Sequence, residues 1–110
     1  MVQHWDLLGI DAPQGTRDPV VLAQDEGARA VLVVLAPGQE LGEHQVRENA
    51  WVVVVEGAVR VSAGGDSFDA STGSLFRFDP GERHSLASVG GARVLLILSP
   101  WPGAGHYPAA

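Results

Sequence analysis

The stretch PGQELGEHQVRENAWVVVVEGAVRV, residues 37–61, decides the fold of this chain. It opens on a Pro-Gly turn signal, passes His44 and enters a run of four valines behind Trp51. Glu56 and Gly57 follow as a second turn signal, and residues 59–63 then alternate apolar and polar side chains. The stretch therefore predicts two strands joined by a turn at Glu56 and Gly57, with a histidine just before the first strand.

Apolar runs of strand length recur along the rest of the chain. They are rich in Val, Ile and Phe and too short for core helices, and turn signals separate them about every ten residues. This rhythm predicts an all-β sandwich or barrel that forms one domain over residues 1–110, with core strands at about 17–98 and irregular ends. The glycine pairs at 64–65 and 90–91 read as hairpin turns. The runs are residues 19–23, 30–36, 51–55, 74–78 and 93–98.

Three of these runs, residues 30–36, 51–55 and 93–98, are apolar on both faces. A strand that is exposed on one side would alternate, so their outer faces need a cover. Another sheet, the N-terminal segment or a second copy of the chain would provide it. Since two-fold homodimers are the commonest closed oligomers, we expect a homodimer that covers Trp51 and Val53.

The composition excludes several classes of protein. The net charge is −6 and every basic residue is an arginine, scattered singly, so we expect no nucleic-acid partner. No apolar run is long enough to span a bilayer and no cationic amphipathic helix is evident, so we expect no membrane partner. The absence of cysteine fits a reducing compartment, and residues 1–13 do not resemble a signal peptide. We expect a cytoplasmic location.

Two histidine segments resemble the two motifs of the small single-domain cupins, of the cupin-2 or RmlC-like type. The resemblance implies a double-stranded β-helix, which is a jelly-roll barrel, usually dimeric. Two positions depart from the motif: Asp79 stands where proline is usual, and Ser88 replaces an asparagine. The residues in register are Gly38, His44, Gly57, Gly73, Gly81 and His84.

The resemblance also implies a candidate cofactor, a divalent metal such as Zn, Fe, Mn or Ni. Metal-binding cupins use two histidines and a glutamate from the first motif and a histidine from the second. This chain keeps His44 and His84, but Val46 and Ala50 occupy the other two positions. Two imidazoles leave a divalent metal underligated. Glu48 is the nearest carboxylate, because alternation along a continuous strand would place it on the side of His44.

Alternation also predicts the lining of the barrel interior. Val46, Ala50, Val52 and Val54 share the inward face, and Trp51 points outward. An interior lined in this way suits a small hydrophobic or aromatic molecule better than a sugar.

Arg77 lies between Phe76 and Phe78 in one predicted strand, so it faces away from both. If Arg77 faces the interior, it forms an anion-attracting pocket with the histidines. If the phenylalanines face inward, the pocket is apolar and Arg77 lies at the surface. The second arrangement is favoured slightly, because burying an unpartnered charge is costly.

These observations leave three functional hypotheses, and whether the protein is an enzyme stays open. The first is a barrel that binds a small, largely apolar molecule near His44 and His84. The second is a metal-dependent dioxygenase or isomerase whose metal is completed by Glu48 or water. The third is a metal-free isomerase or cyclase in which His44 or His84 acts as the catalytic base, since histidine titrates near neutral pH. No other catalytic signature competes with them.

Overall fold

The computed structural model describes residues 2–12, 19–25 and 27–104, with the side chains of Glu43 and His44 outside the description. This part of the chain is all-β and contains no helix, which confirms the predicted fold class. Its strands are β1 (Val20–Asp25), β2 (Ala28–Leu35), β3 (Glu40–His44), β4 (Asn49–Ala63), β5 (Asp66–Ser71), β6 (Leu75–Phe78) and β7 (His84–Ser99).

The two long strands, β4 and β7, each belong to two sheets. Residues 49–54 of β4 pair with residues 94–99 of β7, and residues 59–63 of β4 pair with residues 84–88 of β7. The first sheet has the order β1-β2-β7-β4-β6, and the second has the order β3-β7-β4-β5. All of these pairs are antiparallel, and the two sheets face each other as the halves of a jelly-roll barrel.

The predicted turns at Glu56 and Gly57 and at residues 90–91 are wrong, because β4 and β7 run through both without interruption. The ladder of β4 shifts register between Val54 and Glu56 and between Gly57 and Val59. Gly57 has φ +94°, and a Cβ there would collide with the carbonyl of Gly91. Glycine allows both a turn and a bulge, and here it lets each strand bend from one sheet into the other. The hairpin at residues 64–65, between β4 and β5, is confirmed.

Two strands, β3 and β5, were absent from the predicted set. Both lie at edges of the second sheet, and β5 buries Ala70 alone among its residues. Edge strands with polar sequences carry little of the apolar signal that identifies a central strand. The hydrogen-bonded pairing of β3 with β7 and of β5 with β4 identifies these strands, whereas their composition does not.

The core fills the space between the sheets. On β4 the side chains of Val52 and Val54 are fully buried, while Trp51 between Ala50 and Val52 keeps 40% of its surface exposed. Each buried valine or leucine contributes roughly 1.5–3 kcal/mol relative to an exposed one. The alternation predicted for this strand is therefore the alternation observed.

The outer face of the first sheet is covered in part by the N-terminal segment. Arg93 Nη1 donates hydrogen bonds to the carbonyl oxygens of Leu7 (3.1 Å) and Ile10 (2.8 Å). The register partner of Arg93 on this face is Val34, which is 9% exposed. Farther along the same face Trp51 and Leu75 remain exposed.

Candidate functional site

The barrel has two unlike ends. At the bend end, Gly57 and Gly91 meet where the long strands change sheets. We call the opposite end the mouth. There Phe78 of the first sheet stacks on His84 of the second, with ring centroids 3.9 Å apart and ring planes 2° from parallel.

His84 is the predicted site residue whose surroundings are best defined. It is 3% exposed, and its Nδ1 lies 3.0 Å from the carbonyl oxygen of Glu82. A carbonyl only accepts hydrogen bonds, so Nδ1 carries the proton. In the neutral ring the lone pair then belongs to Nε2, the atom that would accept a proton or bind a metal.

The fold brings the two predicted histidines onto neighbouring strands. His44 on β3 and His84 on β7 are direct partners in the ladder, and on its other side His84 pairs with Ala63 of β4. The backbone thus places the two positions as the cupin resemblance implies. The side chain of His44 lies outside the described residues, so its role stays a prediction.

Glu48 is fully buried at the mouth, and its Oε2 accepts a hydrogen bond of 2.7 Å from the backbone N–H of Gly103. The continuous strand from His44 to Glu48 that we expected is not present, because β3 ends at His44 and β4 begins at Asn49. Directly before β4, the side chain of Glu48 is directed into the protein interior. Its carboxylate therefore fastens the C-terminal segment to the barrel.

The described side chains do not fit a divalent metal. Among them, no three His, Asp or Glu side chains are gathered closely enough to hold an ion. Ala50, in the position of the missing glutamate, is buried opposite Phe78. Stable sites generally use three or four protein ligands, and a site made of His44, His84 and Glu48 stays a prediction.

An apolar cavity of about 280 Å³ opens between the two sheets, beside β2, β3 and β7. The predicted lining residues Ala50, Val52 and Val54 are buried on the inward face of β4 and do not line it. Val46 is half-buried and packs against the core. The lining consists of Pro19, Arg29, Val31, Val33, Leu41, Gly42, Leu96 and Leu98.

Arg29 is the charged residue of this lining, and it lies outside the motifs that predicted the site. It pairs with Leu98 and lies two residues before Val31, so it shares the inward face of β2. Its Cζ lies 4.7 Å from the centroid of the Trp101 ring, and its Nε is buried. Its spacing of two and four residues from Val31 and Val33 was the feature of the sequence that could have predicted its inward orientation.

Trp101 closes part of the mouth. The indole is 6% exposed and belongs to the hydrophobic core. Its backbone carbonyl accepts a hydrogen bond of 3.2 Å from the N–H of Gly27, between β1 and β2. Residues 100–104, the described part of the segment after β7, are irregular as predicted, and they are held to the barrel at Gly27 and at Glu48.

His84 lines a second, polar cavity of about 410 Å³ beside the β4–β5 hairpin. His84 and the apolar cavity, which the sequence analysis placed together, therefore belong to different hollows of the mouth. The residues around His84 in this cavity are Ser62, Ala63, Gly64, Gly65, Asp66, Ser67, Arg83 and Ser85.

The neighbours of Arg77 on β6 show which way its side chain points. Phe78 is buried and Phe76 packs against the core, so both phenylalanines face inward. Arg77 faces outward, where it pairs with Asp79 at 3.2 Å and lies 5.5 Å from the centroid of the Trp51 ring. The arrangement with a surface arginine is confirmed.

Comparison with known proteins decides the family. Residues 31–99, more than half of the chain, match the family described as the cupin domain. The chain belongs to the cupin family. The resemblance drawn from the two histidine segments is thereby confirmed. No curated protein sequence matches this cupin.

Several solved structures share the fold of this cupin. An RmlC-like cupin protein from Desulfovibrio desulfuricans superposes with a TM-score of 0.81 at 21% identity, over 91% of this chain and 98% of that one. A protein from Klebsiella pneumoniae with a double-stranded β-helix domain gives 0.80 at 16% identity, over 94% and 95%. KdgF from Halomonas sp. gives 0.69 at 24% identity, over 74% and 78%. At these identities the likeness concerns the fold alone.

The described part of this cupin contains no helix that is long and apolar enough to cross a membrane.

Proposed function

We propose that this cupin is a binding module for a small, largely apolar molecule, held between the two sheets in the cavity beside β2 and β7. The observation that carries the proposal is the lining of that cavity. Val31, Val33, Leu96 and Leu98 provide an apolar wall, and Leu41 adds a further apolar side chain.

The size of the cavity limits the ligand. Ligand pockets usually measure roughly 300–1,000 Å³, and this cavity of about 280 Å³ lies just below that range. A molecule with a short aliphatic chain or a single ring would fit it. His84 lines the separate polar cavity and is not part of this apolar wall.

The test of the binding proposal is to fill the cavity. Val31→Phe adds bulk to its wall, whereas Val55→Phe adds the same ring at a half-buried position outside the cavity lining. Thermal shift and NMR titration of each variant with a panel of small aliphatic and aromatic compounds should show binding to the wild type and to Val55→Phe, and loss in Val31→Phe. Equal binding by both variants would contradict the proposal.

A second candidate function is metal-free acid–base catalysis, and the fixed orientation of His84 favours it. The Glu82 carbonyl holds Nδ1 protonated, which presents Nε2 as the basic nitrogen, and Phe78 holds the ring plane. Such a base would serve an isomerase or cyclase. His84→Gln should then abolish turnover of a substrate that binds in the polar cavity which His84 lines. Unchanged turnover in His84→Gln would exclude this role.

A further inference from the structure

Arg29 differs from the other three arginines that lie on the described strands. Arg60 pairs with Asp69, Arg77 pairs with Asp79, and Arg93 donates to two backbone carbonyls. Within the described residues, the guanidinium of Arg29 makes no hydrogen bond and no ion pair, and its Nε is buried. Its contact is the face of the Trp101 ring.

Arg29 is half-buried, and the Nε of its guanidinium is out of contact with water. A guanidinium cannot lose its proton in a protein, so Arg29 keeps its charge in apolar surroundings. Because Nε is buried without an acceptor, this N–H donor has lost its hydration and gained no hydrogen bond in return. The cation–π contact with Trp101 is favourable for the positive charge, but it provides no hydrogen-bond acceptor for Nε.

The position of Arg29 relates this charge to the ligand cavity. Arg29 lines the same cavity as Val31, Val33, Leu96 and Leu98, and it lies at the mouth end of β2. A molecule that fills the apolar part would therefore extend toward the guanidinium. Planar carboxylates match the paired N–H donors of arginine, which makes them its best partners.

We infer that the ligand is a small monocarboxylate whose apolar body fills the cavity and whose carboxylate binds Arg29. The inference rests on the proposed binding function and names the chemical class of its ligand. One negative charge matches the one arginine of the cavity lining. A phosphate group would bring about two negative charges into the same apolar space, so a carboxylate is the better match.

The experiment compares matched probes that differ in the head group alone. Calorimetric titration of the full chain with hexanoate, hexanamide and hexyl phosphate measures the preference directly. We expect hexanoate to bind the wild type at least about tenfold more tightly than hexanamide, since hydrogen bonds between ionised groups are about twice as strong as neutral ones. Hexyl phosphate should bind more weakly than hexanoate.

Three variants test whether Arg29 is the residue that causes the preference for hexanoate over hexanamide. Arg29→Met keeps the length of the side chain and removes the charge, so hexanoate should bind it no better than hexanamide does. Arg29→Lys should keep a reduced preference, because it keeps the charge but loses the planar fork. Arg60→Gln, which removes an exposed arginine far from the cavity lining, should behave as the wild type.

A measurement on the wild type keeps the test decisive if Arg29→Met does not fold. The Arg29 Nε–H resonance should shift on addition of hexanoate and stay in place on addition of hexanamide. An unmoved resonance during hexanoate binding would overturn the inference. So would loss of the preference in Arg83→Gln with Arg29→Met unaffected, since that result would move the carboxylate to the cavity of His84.

The failure of this inference differs from the failure of the binding function. If hexanoate and hexanamide bind the wild type equally and Val31→Phe abolishes both, the binding function stands and the role of Arg29 falls. If no probe of either class binds the wild type, both fall.

Discussion

The bend end and the mouth of the barrel are built on different principles. At the bend end, backbone meets backbone: Gly57 lies against Gly91, and polar groups are satisfied locally, as in the bond from Gly57 N–H to Thr72 Oγ1. At the mouth, Arg29, Glu48 and His84 place polar or charged groups in buried positions. Buried polar groups seldom increase stability, and the mouth is the end of the barrel at which the candidate functional residues lie.

The largest expected loss of stability comes from a substitution at the bend end. Gly57→Val adds a side chain where a Cβ would already collide with the Gly91 carbonyl, at a φ of +94°. We expect a loss of more than about 3 kcal/mol in the free energy of unfolding, measured by urea denaturation. Gly65→Val is the matched control, because Gly65 also has a positive φ but has open space around it. Its loss should be about 1–2 kcal/mol, the penalty of the left-handed conformation. Equal losses would show that the close approach of the two strands contributes nothing.

The next effect concerns the mouth. Glu48→Ala removes the acceptor of the Gly103 N–H and leaves that donor buried. We expect a loss of about 2–3 kcal/mol in the free energy of unfolding and faster hydrogen exchange at Gly103. Glu48→Gln keeps an oxygen acceptor and should lose less. If Gly103 stays protected in Glu48→Ala, Glu48 does not hold the C-terminal segment.

The third prediction concerns the addition of metal ligands at the mouth. Val46→His together with Ala50→Glu restores the two ligands that the cupin motif lacks in this chain. We expect zinc affinity, measured by calorimetry, to rise at least about tenfold over the wild type. Trp51→His, which adds a histidine on the outward face of the same strand, is the control and should bring no such gain. No gain from the double variant would mean that the mouth has lost the geometry of a metal site.

The smallest expected effect on stability lies outside both ends, on the outer face of the first sheet. Trp51 and Leu75 remain exposed there, and we expect a homodimer to cover them and bury more than about 1,000 Å² in total. Trp51→Asp should convert the dimer to a monomer in sedimentation experiments at micromolar concentration. Arg60→Gln, on an exposed side chain of the second sheet, should leave the dimer intact. A wild type that sediments as a monomer would exclude this interface.

Much of the barrel could be predicted because the relevant signals are local. Burial of one strand face imposes a period of two, which placed Val52 and Val54 inside and Trp51 outside, and favoured the outward orientation of Arg77. Where the same local signal had two structural meanings, prediction failed. Glycine marks a turn at residues 64–65 and a bend within a continuous strand at Gly57, and the residues on either side do not distinguish the two.

The sequence by itself determined the fold class, the cupin motifs and the inward face of β4, because each depends on neighbours along one strand. The tertiary structure alone decided the partners at the mouth. Glu48 meets Gly103 across 55 positions of sequence, and Arg29 meets Trp101 only after β7 has carried the chain across the barrel and back to the mouth. Pairings of that kind are set by where the sheets bring distant segments together, and no periodicity along the chain encodes them.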